Sequence, residues 1–234
     1  MSILTNNGKV FTLGGSVLNY MPSPVPTKGD LINMDLDGKG NKTYRVLVIN
    51  DNMAKLLGMS NISTSQAWGT NTYSIEVAGQ LISKYQDSDL DTYLNTTWYN
   101  TLSTEAKSAI VPQTIVQDAW SGTNYKPNIC KGTETVGKRN AYALSVQDIV
   151  DYMGIDAPNI TNTNIWKMFW NTESTPTEGD LWLCSGHWGY EDHAWFVYAN
   201  GITYTGAAVN KCVRPTFTID LSKISFTKTT EVIS

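Results

Sequence analysis

The densest chemistry in the chain lies in Ser185-Gly186-His187-Trp188-Gly189-Tyr190-Glu191-Asp192-His193-Ala194-Trp195. This run holds both histidines of the protein, and Glu191 and Asp192 join them within seven positions. Such a set could ligate a metal or move protons. His187 and His193 stand six apart in a glycine-containing run, however, a spacing that matches no zinc motif. No Gly-x-Ser-x-Gly elbow, phosphate loop or Cys-His nucleophile pair accompanies them. The expectation is therefore an exposed recognition loop with no catalytic residue, no metal and no cofactor; a loop folded for structural reasons is the alternative. Trp188, Tyr190 and Trp195 offer stiff contact area at little entropic cost, while His187, Glu191, Asp192, His193 and Asn200 supply adaptable hydrogen bonds. Tyr204 and Asn210 complete the candidate ligand-binding set as outliers. Trp195 and Phe196 are adjacent on a strand and point to opposite faces, so one of them is expected in the core.

Cys130, Cys184 and Cys212 are an odd, sparse set without a Cys-x-x-Cys pair. They are read as small buried hydrophobes, with a Cys184–Cys212 bridge as the sharper alternative. Arg214 precedes Pro215 in a terminal strand, where proline demands an edge or a bulge. Arg214 is expected to hydrogen-bond across to loops rather than to a ligand. The Trp166-Lys167-Met168-Phe169-Trp170 run is apolar on both sides and is read as core or subunit interface.

The elements that must position these residues come next. Residues 7–20 read as two short strands around a Gly14-Gly15 turn, followed by a stiff spacer with prolines at 22, 24 and 26. Residues 1–28 are expected to form an attachment or oligomerisation arm, or equally an edge hairpin of the main domain, which would span 29–234. Lys42–Asn50 and Lys55–Ser60 read as a hairpin. The spacing of Val77, Leu81, Ile82 and Tyr85 predicts a helix. A second helix is predicted after Asp87-Ser88-Asp89, with Leu90, Tyr93, Leu94 and Trp98 on one face. Ser103 starts a further helical turn that stops before Pro112. Gln117 to Arg139 reads as a long exposed excursion. Ser145 is predicted to cap a helix through Met153, ended by Gly154. Four strand-like runs follow at 180–185, 194–198, 201–204 and 211–217. Strands first, helices in the middle and strands last make an α+β chain whose first and last strands share a sheet.

Composition narrows the function classes. Across 234 residues, 41% are hydrophobic, enough for a core, and only 16% are charged. Asn, Thr, Ser, Trp and Tyr are plentiful instead, a mix that favours hydrogen-bonding and stacking surfaces. A net charge of −4, with Lys138-Arg139 the lone adjacent basic pair, argues against a nucleic-acid partner. No run approaches the length of a membrane helix, and no secretory signal is expected at the N-terminus.

Five segments in order carry a resemblance: Tyr44-Arg45-Val46-Leu47, Ser88 to Asn95, Leu144-Ser145-Val146-Gln147-Asp148, Leu181-Trp182-Leu183-Cys184-Ser185 and Cys212-Val213-Arg214-Pro215-Thr216-Phe217. Over Gly29 to Leu221 the chain resembles an uncharacterised domain family of bacteria and their phages. That family has Trp-Leu-Arg-Ser and Val-Arg-Pro-Ala closing strands and looks related to the C-type-lectin-like fold. Phage receptor-binding proteins and the variable proteins of diversity-generating retroelements share this fold. The resemblance implies a variable contact surface at about His187 to Lys211. The chain departs from the pattern where Cys184 and Asp91 stand in place of arginines. Glu-Pro-Asn and Trp-Asn-Asp motifs are missing, so calcium-dependent sugar binding is not implied. The implied function is a virion protein, a head or tail fibre or receptor-binding tip, made in the host cytoplasm. Its residues 1–28 would join other virion proteins, and its domain would bind a host receptor or glycan. A homo-oligomer, with a trimer favoured, suits that role. The alternatives are a bacterial surface or secreted adhesin and, from another class, a formylglycine-generating-type enzyme using Cys184 and Cys212.

Overall fold

The computed structural model describes residues 11–13, 16–18, 25–70 and 74–229. The chain opens with β1 (Phe11–Leu13) and β2 (Ser16–Leu18), then β3 (Leu31–Met34), β4 (Lys42–Asn50), β5 (Met53–Gly58) and β6 (Ser63–Ala67). β7 (Ser74–Val77) and β8 (Gln80–Ser83) lead to α1 (Asp89–Thr92), which runs into a π-helix over Tyr93–Trp98, and then to α2 (Thr104–Ala109). A long pair, β9 (Gln113–Thr123) and β10 (Lys126–Arg139), precedes α3 (Val146–Met153) and α4 (Asn162–Trp170). β11 (Leu181–His187), β12 (His193–Tyr198), β13 (Gly201–Gly206), β14 (Asn210–Val213), β15 (Thr216–Asp220) and β16 (Thr227–Lys228) complete the chain. β1 and β2 pair antiparallel as the sequence predicts, while the Gly14-Gly15 turn and positions 22 and 24 of the spacer lie outside the described residues.

The architecture is α+β. Five strands form one antiparallel sheet in the order β15-β5-β4-β3-β16, so early and late strands do share a sheet. A second sheet runs β10-β9-β11-β12-β13, with β14 between β11 and β6. β11 is its centre: its start pairs parallel with β14 (Leu181↔Cys212), and its end pairs parallel with β9 (His187↔Trp120). The predicted single run 211–217 is divided at Arg214-Pro215, with β14 in one sheet and β15 in the other. The division follows from proline, which cannot continue a ladder.

Central strands are buried on both faces. Trp182, Cys184, Ala194 and Phe196 enter one core with Tyr44, Val46, Leu56 and Trp98. Their alternates Leu181, Leu183, Trp195 and Val197 enter a second core with Leu47, Leu57, Ile149, Ile165 and Phe169. Both Trp195 and Phe196 are therefore core, where the sequence reading placed only one. The period of two along a strand produces this split.

Three helical predictions hold, among them α2, which Ser103 caps and which ends before Pro112. Ser88 accepts from the Asp91 N–H to start α1, and Leu90, Leu94 and Trp98 are buried on the shared face. Within this segment Asn95 Nδ2 donates to Asp91 O (3.0 Å) and Thr96 Oγ1 to Thr92 O (2.6 Å). Side chains that engage the i−4 carbonyls compete with the α ladder, and the turn widens to π, with Tyr99 N–H bonding Leu94 O. α3 begins at Ser145 and ends at Gly154 in the left-handed region, as predicted.

The first N–H groups of α3 are met from three directions. Val146 N donates to Ser185 Oγ (2.7 Å), Gln147 N to Asp118 Oδ2 (2.8 Å) and Asp148 N to Ser145 Oγ (2.9 Å). Ser185 also donates to Asp118, and Trp120 Nε1 donates to its other oxygen (2.7 Å). Burial pushes the Asp118 carboxyl up, while these donors and the positive end of the helix favour the anion.

Two predicted elements are corrected. Val77–Tyr85 is a hairpin of β7 and β8, because Ala78 and Gly79 take positive φ (49° and 77°) and turn the chain. Gln117–Arg139 is the long β9–β10 hairpin rather than a loop.

Candidate functional site

β9, β11, β12 and β13 bring an aromatic cluster to one end of the second sheet. β11 ends at His187, and β12 begins at His193 after a tight connection in which Gly189 takes φ +98°. Tyr190 N–H returns to His187 O (3.3 Å) and Trp188 N–H ties to Trp120 O (2.9 Å). Gly186 fits because any Cβ would stand 3.0–3.1 Å from Gln117 and Ile82. Gln117 is itself fixed, donating to Ser83 O (2.6 Å) and accepting from Tyr85 N–H (2.8 Å). Across β12–β13, Trp195 pairs with Tyr204.

His187 is the base of the cluster. Its ring lies 4.0 Å from Tyr204, 4.7 Å from Tyr190 and 5.3 Å from Trp195, the last nearly parallel. Gly122 of β9 closes the floor, since a Cβ there would meet His187, Tyr204 and Trp195 at 3.1–3.3 Å. Burial, followed by the charge of His193, depresses the His187 pKa from 6.5 to about 4, so the ring is neutral at pH 7. Its Nδ1 is buried without a hydrogen-bond partner among the described residues.

Above this base, Tyr204 lies between two exposed tyrosines. Tyr190 is near-parallel to it at 6.0 Å, and Tyr125 is near-parallel at 5.8 Å. Tyr125 is 71% exposed and Tyr190 50%. Burial and the neighbouring Tyr190 and Tyr125 raise the Tyr204 pKa, which keeps its hydroxyl a donor. Glu191 and Asp192 are exposed beside the ladder, and Asp192 Oδ1 lies 2.6 Å from His193 Nδ1. Lys131 Nζ sits 4.9 Å over the Trp188 ring.

Tyr125 is the residue that sequence reasoning missed. With Asn124 it forms a two-residue connection between β9 and β10, at φ 51° and 61°. Both positive values define a type I′ turn, which normally takes glycine at the second position. A side chain in the left-handed region costs roughly 1–2 kcal/mol. The Asn-x pair between two pairing runs was the available signal, hidden because the flanking residues did not read as strands.

The structure unites only part of the predicted set. Tyr190, Glu191, Asp192, His193 and Tyr204 share one surface with His187 beneath them. Trp195 is fully buried and His187 is 5% exposed, so neither forms the expected open contact surface; both lie on strands covered by neighbouring rings. Asn200 is exposed at the other end of β12, where roughly 17 Å of strand separate His193 from Tyr198. Asn210 starts β14 and pairs with Ala67, away from the cluster. Arg214 is 3% exposed and holds loops together, donating to Asn61 Oδ1 (2.9 Å), Phe169 O and Glu178. Asp91 receives Arg139 Nε at 2.8 Å. No disulfide joins the three cysteines, so the Cys184–Cys212 bridge is not formed, and burial raises the pKa of each thiol. In α4, Ile165, Met168 and Phe169 are core, and Trp166 Nε1 donates to Ala199 O (2.5 Å). Among the described residues, no three His, Cys, Asp or Glu side chains converge on a point, and no helix is long and apolar enough to cross a membrane.

A family model described as a domain of unknown function, DUF6273, matches residues 45–221. No curated protein matches the chain. No solved structure matches it either.

Proposed function

The chain belongs to the DUF6273 family, and for this member we propose a binding function in which the Tyr125–Tyr204–Tyr190 ladder takes a glycan. One observation carries the reading: a tyrosine occupies the strained second position of the β9–β10 turn and stays largely exposed. Backbone strain kept for an exposed aromatic side chain is characteristic of contact sites. Aromatic faces suit the C–H faces of sugar rings, and Glu191, Asp192 and the tyrosine hydroxyls suit their hydroxyl groups. The buried, neutral His187 and the close approach at Gly122 hold the ladder rigid.

The wider role we propose is display on a phage particle. The domain would be a C-type-lectin-like fold, residues 1–28 would join other virion proteins in a homo-oligomer, and the ladder would face the host surface. The support is the ordered motif resemblance together with the paired β1 and β2 ahead of the main domain. A bacterial adhesin would use the same ladder. The enzyme alternative has less support, because burial holds the Cys184 and Cys212 thiols protonated, whereas that chemistry needs a thiolate.

A glycan array probed with the full chain tests the binding function. Retained glycans should fall at least ~10-fold in Tyr190→Ala and Tyr125→Gly proteins. Retention of no glycan, or equal retention by both variants, refutes it.

A further inference from the structure

We infer that the cavity over the π-helix is a second, separate ligand site, which takes a small single-ring carboxylate. It does not depend on the reading of the tyrosine ladder. The cavity holds about 290 Å³ and lies between the β3–β4 connection, the β5–β6 connection and the Tyr93–Trp98 π-helix. Tyr44, Trp98, Leu102 and Pro215 give it an apolar lining. A dry apolar cavity of about 150 Å³ accepts one benzene. The volume here therefore suits one ring with a short polar arm, near the lower end of ligand pockets.

Three observations point to a ligand. Tyr44 is 4% exposed and lines the cavity, and its hydroxyl makes no hydrogen bond to any described residue. The hydroxyl opens on the cavity, where an acceptor on a ligand can take its proton in place of water. The wall is a π-helix, a rare form that recurs at functional sites, and its exposed Thr97 hydroxyl makes no hydrogen bond to any described residue. Charge selects the carboxylate. Asp37 is the one acid in the lining and is already paired with Lys42 at 2.6 Å, which leaves the Lys39 ammonium at the mouth without an ion pair among the described residues. The Tyr44, Thr97 and Ser60 hydroxyls can each donate into the cavity, and the Lys39 ammonium can only donate. A carboxylate supplies the acceptors that they lack, and its ring meets Trp98 and Pro215.

The test uses the full chain and phenylacetate, followed by amide shifts in two-dimensional NMR, with 2-phenylethanol as the uncharged counterpart. Phenylacetate should shift amides of residues 36–44, 58–62 and 93–102, saturating in the millimolar range. Lys39→Gln should weaken phenylacetate about 5-fold and leave 2-phenylethanol unchanged. Thr97→Trp and Ser60→Tyr each place a ring in the mouth from an exposed position, and both should weaken phenylacetate at least ~10-fold with the melting temperature kept. No shift at ~10 mM phenylacetate overturns the site, as does undiminished binding in whichever mouth variant keeps its melting temperature. Shifts centred elsewhere do the same. Equal affinity for 2-phenylethanol overturns the carboxylate class. Glycan retention by the ladder is a separate measurement and is unaffected in either case.

Discussion

Replacing Tyr125 by glycine separates what that residue does for the fold from what it does for binding. Its φ of 61° favours glycine, so the change should recover roughly 1–2 kcal/mol of backbone strain. The unfolded chain gains freedom with glycine, which offsets about 0.5–1 kcal/mol of that. Loss of the near-parallel contact with Tyr204 at 5.8 Å costs about 0.5–1.5 kcal/mol, toward the lower end because the ring is 71% exposed. The sum is close to zero. Tyr125→Ala keeps the strain and loses the ring, so it should be destabilised by about 0.5 kcal/mol relative to wild type. Urea unfolding followed by tryptophan fluorescence should therefore rank Tyr125→Gly level with wild type and above Tyr125→Ala. Both variants should lose glycan retention. An alanine variant as stable as the glycine variant refutes the strain argument. Stability reduced by more than ~2 kcal/mol in the glycine variant shows that the ring is there for folding.

Three further outcomes follow from the site and its supports. The folded-state pKa of His187, about 4, lies below the unfolded value of 6.5. Stability is thus fully present above about pH 6.5 and is lost as pH falls toward 4, by about 1–3 kcal/mol. Urea midpoints measured from pH 7 to pH 4 should fall for wild type and much less for His187→Phe; parallel curves would exclude His187 as the cause. Gly122→Ala should cost about 1–2 kcal/mol and weaken glycan retention, because its Cβ presses on His187, Tyr204 and Trp195. Retention at the wild-type level would show that the ladder tolerates displacement. Ser185→Ala removes the acceptor for Val146 N–H and a donor to Asp118, and should cost about 2–3 kcal/mol in thermal unfolding. A loss under ~0.5 kcal/mol would mean that the start of α3 is met in another way.

Legibility in the sequence followed how local the cause was. Ser88, Ser103 and Ser145 cap helices through hydrogen bonds only three residues long, so these starts were readable. The β4–β5 hairpin and the strands of the last third announced themselves by β-branched and aromatic residues. The β7–β8 hairpin was hidden because Val77, Ile82 and Tyr85 are indeed all buried, at a spacing that also fits a helix. Only the positive φ values at Ala78 and Gly79 distinguish the two. The β9–β10 pair was missed because much of it faces solvent and three register shifts interrupt its alternation. Within the site, His187 and Trp195 could not be told from surface residues by pattern, since strands buried on both faces carry no polar side to compare. Tyr125 belongs to the site through tertiary contact alone.

The order β15-β5-β4-β3-β16 also sets a timetable for synthesis. β5 leaves the ribosome with one side open, and its partner is far away, Met53 pairing with Asp220. At about 5–20 residues per second, the wait is roughly 10–30 s. During that interval Leu56 and Leu57 lack the cover that β15 will bring, and any passing strand could take its place. The nascent chain is therefore most vulnerable to misassembly before its last strands emerge. A holding chaperone should improve its yield more than a faster folding catalyst would.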